Sequence, residues 1–211
     1  GMPEGTVHSE LLRRPGKLYV LASHFHPDHF NKEVLQWREQ RPDIIYIFSK
    51  DILRHRRAQK EDAVWLKKGE EYKDETLSVR AFGSTDVGVS FLLQASGKKI
   101  FHAGDLNNWH WMDESTEAEW KGAEKNFLHE LDDLYAYTPE VDVAMFPVDP
   151  RLGKEYMRGA GQFVTKIKTH IFVPMHFTPE YAKANAFRDF AEAHGVRFVS
   201  LTHRGQKIEI E

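Results

Sequence analysis

The 211-residue chain contains no cysteine. That excludes disulfides, thiolate catalysis and every cysteine-ligated zinc or iron–sulfur site. Any bound metal must be held by nitrogen and oxygen. Long apolar runs are also missing, and nothing approaches the roughly 20 residues a membrane-crossing helix needs. No basic segment leads into an apolar stretch near the start, so neither a signal peptide nor a membrane partner is expected. Nor is there a surplus of basic charge. The chain has 29 Lys+Arg against 32 Asp+Glu, a formal net charge of -3. Nucleic-acid binders usually carry a basic excess, which argues against that partner. The local exception, Arg54-His55-Arg56-Arg57, reads as a solvated helix face. These absences together fit a cytoplasmic protein.

What is present is apolar area and histidine. Hydrophobic residues make up 41% of the chain, and 14 Phe, 7 Tyr and 5 Trp are spread along it. Such a chain buries enough surface to offset its ordering entropy, so it folds. The length suits one domain, residues 1–211. Lys17 to Ala22 (KLYVLA) and Ile44 to Phe48 read as buried strands, with a helix from Asn31 to Gln40 between them. Thr76 to Phe82, Val89 to Gln94 and Lys99 to Ala103 read as short strands, the last two joined by a Ser96-Gly97 turn. A long helix is expected from Thr116 to Tyr135. Thr116 and Glu119 have capping-box spacing, and Trp120, Ala123, Phe127, Leu131 and Leu134 form one buried stripe. Strand and helix then alternate. Val141 to Phe146, Ile171 to Pro174, Val196 to Leu201 and Lys207 to Ile210 read as strands. Lys154 to Lys166 reads as a helix, as does the stretch capped by Thr178-Pro179 and stopped by Gly195. The class is mixed α/β.

The chemistry concentrates in Ser23-His24-Phe25-His26-Pro27-Asp28-His29, directly after an apolar strand and before a helix. Open α/β sheets place their sites at such carboxyl ends. His24 and His26 stand two apart, so extended backbone points both rings to one side. Asp28 and His29 lie beyond the turn and address a second point. Imidazole and carboxylate together suit zinc, and also manganese, iron or nickel. Two further strand ends supply Asp105, after Gly104, and His176. Their co-occurrence with the histidine loop is the argument for one metal site. Trp109, His110 and Trp111 read equally as cleft lining or core, His102 as structural, and Asp149 and Arg151 as candidates for anion binding. The other histidines read as ordinary surface or core residues.

The H-x-H-x-D-H loop, the strand ending Phe101-His102-Ala103-Gly104-Asp105 and the end Val173-Pro174-Met175-His176 resemble the metallo-β-lactamase-fold hydrolases. Within them the chain looks similar to the branch that includes ascorbate-6-phosphate lactonase. The resemblance implies a four-layer αββα sandwich with one or two metal ions at the sheet edge. It implies that His24 and His26 serve the first metal and Asp28, His29 and His176 the second. Asp105 would bridge them. Where such proteins carry a further histidine, this chain has Phe82-Gly83-Ser84-Thr85-Asp86. Asp86 either substitutes for it or is a turn residue, and turn chemistry favours the second role. Few residues precede the histidine loop, so N-terminal edge strands are expected to be missing. Unpaired edges invite pairing, and a homodimer is expected.

These readings together imply a metal-dependent hydrolase. Metal-activated water would attack a small, anionic ester, lactone or phosphoester, with Asp28 orienting the nucleophile and moving its proton. Two rivals stay open: a phosphodiesterase or nuclease, and a non-catalytic protein with a degenerate metal site.

Overall fold

The KLYVLA run supplies strand β1 (Tyr19–Ala22), which pairs in parallel with β2 (Ile45–Ser49). A third parallel strand, β3 (Val64–Leu66), completes this small sheet. A computed structural model describes residues 7–209. Ahead of β1, the described residues contribute one helical turn, α1 (Ser9–Leu12), and no strand. Buried Arg41 ties this segment down by donating to the carbonyls of Leu12 and Arg14 at 3.1 and 2.7 Å.

The large sheet holds β4 (Glu71–Lys73), β5 (Ser78–Phe82), β6 (Ser90–Ala95), β7 (Lys98–His102), β8 (Glu140–Pro147), β9 (Lys168–Met175) and β10 (Arg197–Phe198). They lie side by side in chain order, antiparallel from β4 to β7 and parallel from β7 to β10. Local chemistry explains the switch. Ser96 and Gly97 take φ of 51° and 76°, the left-handed pair that closes a two-residue hairpin. Parallel neighbours instead need long crossovers, which helices provide. These are α3 (Glu117–Tyr137), α4 (Arg158–Lys166), and the pair α5 (Tyr181–Asn185) and α6 (Arg188–Ala193).

Strand alternation divides the apolar residues among layers. On β2, Ile47 faces the gap between sheets while Tyr46 and Phe48 face outward, beneath α1, α2 (Lys50–Arg54) and the 3₁₀ helix Lys32–Glu39. On β6, Phe91 joins the inter-sheet core and Leu92 the core under α3 and α4. Phe101, Phe146, Phe163 and Phe172 are fully buried in that last core, with Phe127, Leu131 and Leu134 of the expected α3 stripe. The result is helices, sheet, sheet, helices, the expected αββα order. No helix among the described residues is long and apolar enough to cross a membrane.

Several expected elements differ. The expected Asn31 to Gln40 helix forms as a 3₁₀ helix, Lys32–Glu39, the Asn31 side chain at its start accepting from the Glu33 amide. Lys154 to Lys166 is broken: Gly153 takes φ 79° inside the short helical stretch Pro150–Glu155, and α4 starts only at Arg158. The Thr178–Gly195 segment splits into α5 and α6 around Phe187, which is buried against Phe172 with ring centroids 5.0 Å apart. Thr178 sits at φ 48°, a left-handed conformation an N-cap does not take. Only Arg197–Phe198 of the expected Val196–Leu201 strand is paired. Residues 207–209 form no strand, and Ile210 lies outside the described residues.

Asp74 joins the two sheets at the far edge. It accepts from Tyr19 Oη of β1 at 2.8 Å, Tyr72 Oη of β4 at 2.9 Å, Lys17 Nζ at 3.0 Å and the amides of Thr76 and Leu77. Desolvation pushes its carboxyl up. The Leu77 amide, Lys17 and the other donors outweigh that and hold it well below the usual range. A depressed carboxyl stabilises the fold above its unfolded pKa, and this is lost as pH falls through the folded value. Asp74→Asn should therefore lower the urea midpoint at neutral pH, and the gap to the parent should begin to narrow as pH falls below about 4. An unchanged gap at pH 3 would contradict the charge-based account.

Candidate metal centre at three strand ends

β1 ends directly in Ser23 and His24, both buried. The Val89 amide donates to the Ser23 carbonyl at 3.0 Å, closing the small sheet against the large one. Two glycines make that approach possible. A Cβ on Gly88, at φ 76°, would lie 2.1 Å from the Ser23 oxygen, and one on Gly104, at φ 57°, would lie 2.8 Å from the Val89 oxygen. Only glycine meets both demands. His29 and Phe30 then donate to the His26 carbonyl, forming the turn that carries Pro27 and Asp28. The Phe25 amide donates to Asp51, which anchors the loop to α2.

Six expected side chains converge here. Asp105 Oδ2 lies 3.2 Å from His24 Nε2, and Oδ1 lies 3.2 Å from His29 Nε2 and 3.4 Å from His176 Nε2. Asp28 Oδ2 is 3.5 Å from His29 Nε2. His26 stands near a different carboxylate, with Nδ1 3.9 Å from Asp86 Oδ2. Asp86 lies in a bend, as expected of a turn residue, yet its side chain faces the cluster. Thr85 pins that bend, its hydroxyl accepting from the Asn107 amide at 3.0 Å and donating to the Asn107 carbonyl. Donor atoms lie within 4.8 Å of one another in three sets: His24–His29–Asp105, Asp28–His29–His176 and His26–Asp86–Asp105. Despite these short distances, His24 Nε2 and Asp105 Oδ1 are buried without a hydrogen-bond partner. Buried polar atoms are rarely left so, and an imidazole nitrogen facing a carboxylate oxygen is a donor set that a divalent cation satisfies. The residues fit a metal.

Residues 8–177 match the family described as the beta-lactamase superfamily domain. The chain belongs to the metallo-β-lactamase-fold superfamily. Among solved structures, a metallo hydrolase from the hyperthermophilic archaeon Ignicoccus hospitalis aligns with TM-score 0.62 at 18% identity, over 94% of this chain and 82% of that one. A candidate metal-dependent hydrolase from Parabacteroides distasonis aligns with TM-score 0.61 at 16% identity, over 89% and 77%. CmlA, a diiron β-hydroxylase from Streptomyces venezuelae, aligns with TM-score 0.58 at 14% identity, over 89% of this chain and 44% of CmlA. At these identities the likeness establishes the fold. No protein of curated function matches by sequence.

In this superfamily member, His176 leaves β9 in a left-handed conformation, φ 61°, uncommon for a residue with a Cβ. Its Nδ1 contacts Asp149 Oδ2 at 2.9 Å, which turns Nε2 towards Asp105. Asp149 is fully buried and also accepts the Arg151 guanidinium through Nε, at 3.0 Å to both oxygens, and Nη2 at 2.6 Å. The sequence placed Asp149 with anion-binding candidates; buried behind the histidine, it is instead the carboxylate that orients a ring. His102 is structural, as expected, accepting the Gly104 amide at 3.1 Å and so shaping the turn into Asp105. His110 is buried between the Glu155 carbonyl and the Met112 amide. His55, read as part of a surface run, stacks on Phe25 with centroids 3.7 Å apart.

The cluster opens into a cleft of about 370 Å³ lined by His26, Asp28, Asp86, Trp109, Trp111 and Arg151, among others. A larger apolar cleft of about 740 Å³ beside α4 and α6, lined by Leu128, Met157, Phe187 and Phe190, holds none of the site residues.

Burial works against charge at Asp105, Asp149, His29, His176 and His102. For Asp105 it is outweighed by the close approach and charge of His24, with His29 and His176 adding, so the carboxyl is lowered. Asp149 is held down at about 2, its burial outweighed by His176 and Arg151. For His29, burial wins and the imidazole is lowered; for His176, Asp149 and Asp105 overcome burial and raise it. Burial, with His29 adding, pushes His102 down to about 4. In chelator-treated protein, NMR titration should therefore place His176 above 6.5 and His29 below it. The stabilisation from His176 charging is complete below the ordinary value and fades as pH rises through the raised one. His176 titrating below His29 would contradict the role given to Asp149.

Proposed function

We propose that this protein is a metal-dependent hydrolase acting on a small ester, lactone or phosphoester. The observation that carries the reading is the convergence of three strand ends on buried Asp105, with His24 Nε2 and Asp105 Oδ1 left without hydrogen-bond partners. His24, His26, Asp28, His29, Asp105 and His176 would hold one or two divalent ions, zinc being the first choice and manganese, iron or nickel the others. Asp86 would complete the side on which His26 stands. A divalent ion bound there supplies Lewis acidity, which activates water near neutral pH and draws charge from a reacting acyl or phosphoryl group.

The chain's own residues supply the rest. Asp28 is the most exposed carboxylate of the set, with 69% of its side chain open to solvent, and it lines the cleft. It can take a proton from the attacking water and pass it to the leaving group. Asp149 keeps the His176 ring in one orientation. The resemblance of the histidine loop to the ascorbate-6-phosphate lactonase branch favours lactones and anionic esters as first substrates, and Arg151 at the cleft favours a negative charge on them.

Metal analysis of protein purified without chelator should find a transition metal, and the His26→Ala, His29→Ala double variant should lose it. Asp149→Asn should weaken metal affinity about 10- to 100-fold, the usual effect of removing a carboxylate behind a histidine ligand. Parent-like metal binding by the double variant would overturn the ligand assignment.

Turnover should vanish on chelation and return with added metal. Asp28→Asn should lower kcat by about 10²- to 10⁴-fold with little change in KM, because it removes proton transfer rather than a substrate contact. Full activity without metal would overturn the mechanism. A fully metallated parent inactive on esters, lactones and phosphoesters would favour a non-catalytic role.

A further inference from the structure

Beside the metal-ligand candidates, the cleft carries a second group of side chains, of which the hydrolase reading uses only the charge of Arg151. Trp109 and Trp111 are half-buried, and their rings lie nearly parallel, 17° apart with centroids separated by 6.4 Å. The Trp109 indole N–H donates to the Asp105 carbonyl at 2.8 Å, and its ring meets His176 edge-on with centroids 5.4 Å apart. Trp111 takes φ 43°, a left-handed conformation costly for a bulky residue. Buried His110 secures the strained turn from within, its Nδ1 taking the Met112 amide and its Nε2 reaching the Glu155 carbonyl. A large apolar ring is thus kept at the cleft wall against its own backbone preference.

Arg151 lines the same cleft. Asp149 grips its Nε and Nη2, while Nη1 takes no part in those contacts and 52% of the side chain stays exposed. A guanidinium locked by a buried carboxylate presents its remaining donors without paying side-chain entropy on binding. Flat aromatic faces beside a fixed cationic fork select a flat, negatively charged partner.

We propose that Trp109, Trp111 and Arg151 form a subsite for a planar ring bearing an oxyanion, either carboxylate or phosphate. The inference rests on the hydrolase reading for its meaning: it makes the substrate an aryl or conjugated-ring anion whose scissile bond lies next to the ring.

The test is binding, followed by calorimetry and tryptophan fluorescence, with metal content measured on every sample. The probes are benzoate, phenylphosphonate, cyclohexanecarboxylate and benzyl alcohol, applied to zinc-loaded and chelator-treated protein. The parent should bind benzoate or phenylphosphonate at least about threefold more tightly than the saturated acid, a stacking preference, and benzyl alcohol far more weakly. Arg151→Gln should weaken the anions about tenfold at unchanged metal content, with Arg151→Lys intermediate because it keeps the charge and loses the fork. Trp111→Leu should bring the aryl-to-cyclohexyl ratio to about one while metal content is retained. Equal binding of the planar and saturated acids by the parent, anion affinity unaffected by Arg151→Gln, or no saturable binding would each overturn the subsite. A parent that binds no metal but keeps the planar-anion selectivity would overturn the hydrolase reading and leave the subsite standing.

Discussion

A carboxylate removed from water costs several kcal/mol unless other groups replace its hydration. Asp105 is 4% exposed, and what replaces water around it is three imidazoles from two different strand ends. Much of the surrounding structure serves that arrangement. His24 can reach Asp105 only because the backbones at Ser23, Val89 and Gly104 come into contact, and they do so only because positions 88 and 104 carry no Cβ. The turn into Asp105 is shaped by His102, the bend opposite is pinned by Thr85, and His176 is oriented by Asp149. One of the two Asp105 oxygens still lacks a hydrogen-bond partner, so the cluster is balanced for a cation rather than closed upon itself.

The two sheets contribute differently. The antiparallel half of the large sheet is built by local hairpins, whereas the parallel half needs helical crossovers that place α3 and α4 over a core of phenylalanines. The strand at this switch, β7, leads into Asp105, and β9 in the parallel half leads into His176. Rigid strands packed on both faces hold such groups more exactingly than mobile loops would. The strained residues lie beside them, His176 at φ 61° and Trp111 at φ 43°. The fold supports both conformations by burying their neighbours, Asp149 behind the one and His110 before the other.

Superfamily membership accounts for the layers and for the placement of the histidine loop, but a fold does not choose a substrate. What distinguishes this chain's cleft is its wall, where carboxylates, an arginine and two indoles line the same small volume. Asp86 shows how a residue of an ordinary bend can join a site, because its carboxylate is directed towards His26.

Periodic and punctuated features were legible in the sequence. The α3 stripe and its Thr116–Glu119 capping box, the Ser96-Gly97 hairpin, the strands around them and the six residues of the H-x-H-x-D-H loop, Asp105 and His176 all follow from spacing that repeats or from residues with few conformational options. β3 and β4 were not legible, because three-residue strands are too short to show a period and form only where a neighbour accepts them. The helix after Thr178 was read as continuous because its composition permits it; burial of Phe187 against Phe172 breaks it. The partners of the site belong to the same class. Asp149 is 27 positions from His176, and Asp86 is 60 from His26, so no local pattern links them. The sequence determined which residues could carry the chemistry, since donor type and strand-end position are local properties. Which carboxylate stands beside which histidine was decided only by tertiary pairing: β8 beside β9 puts Asp149 behind His176, and closure of the two sheets over Gly88 and Gly104 brings His24 and His29 to Asp105.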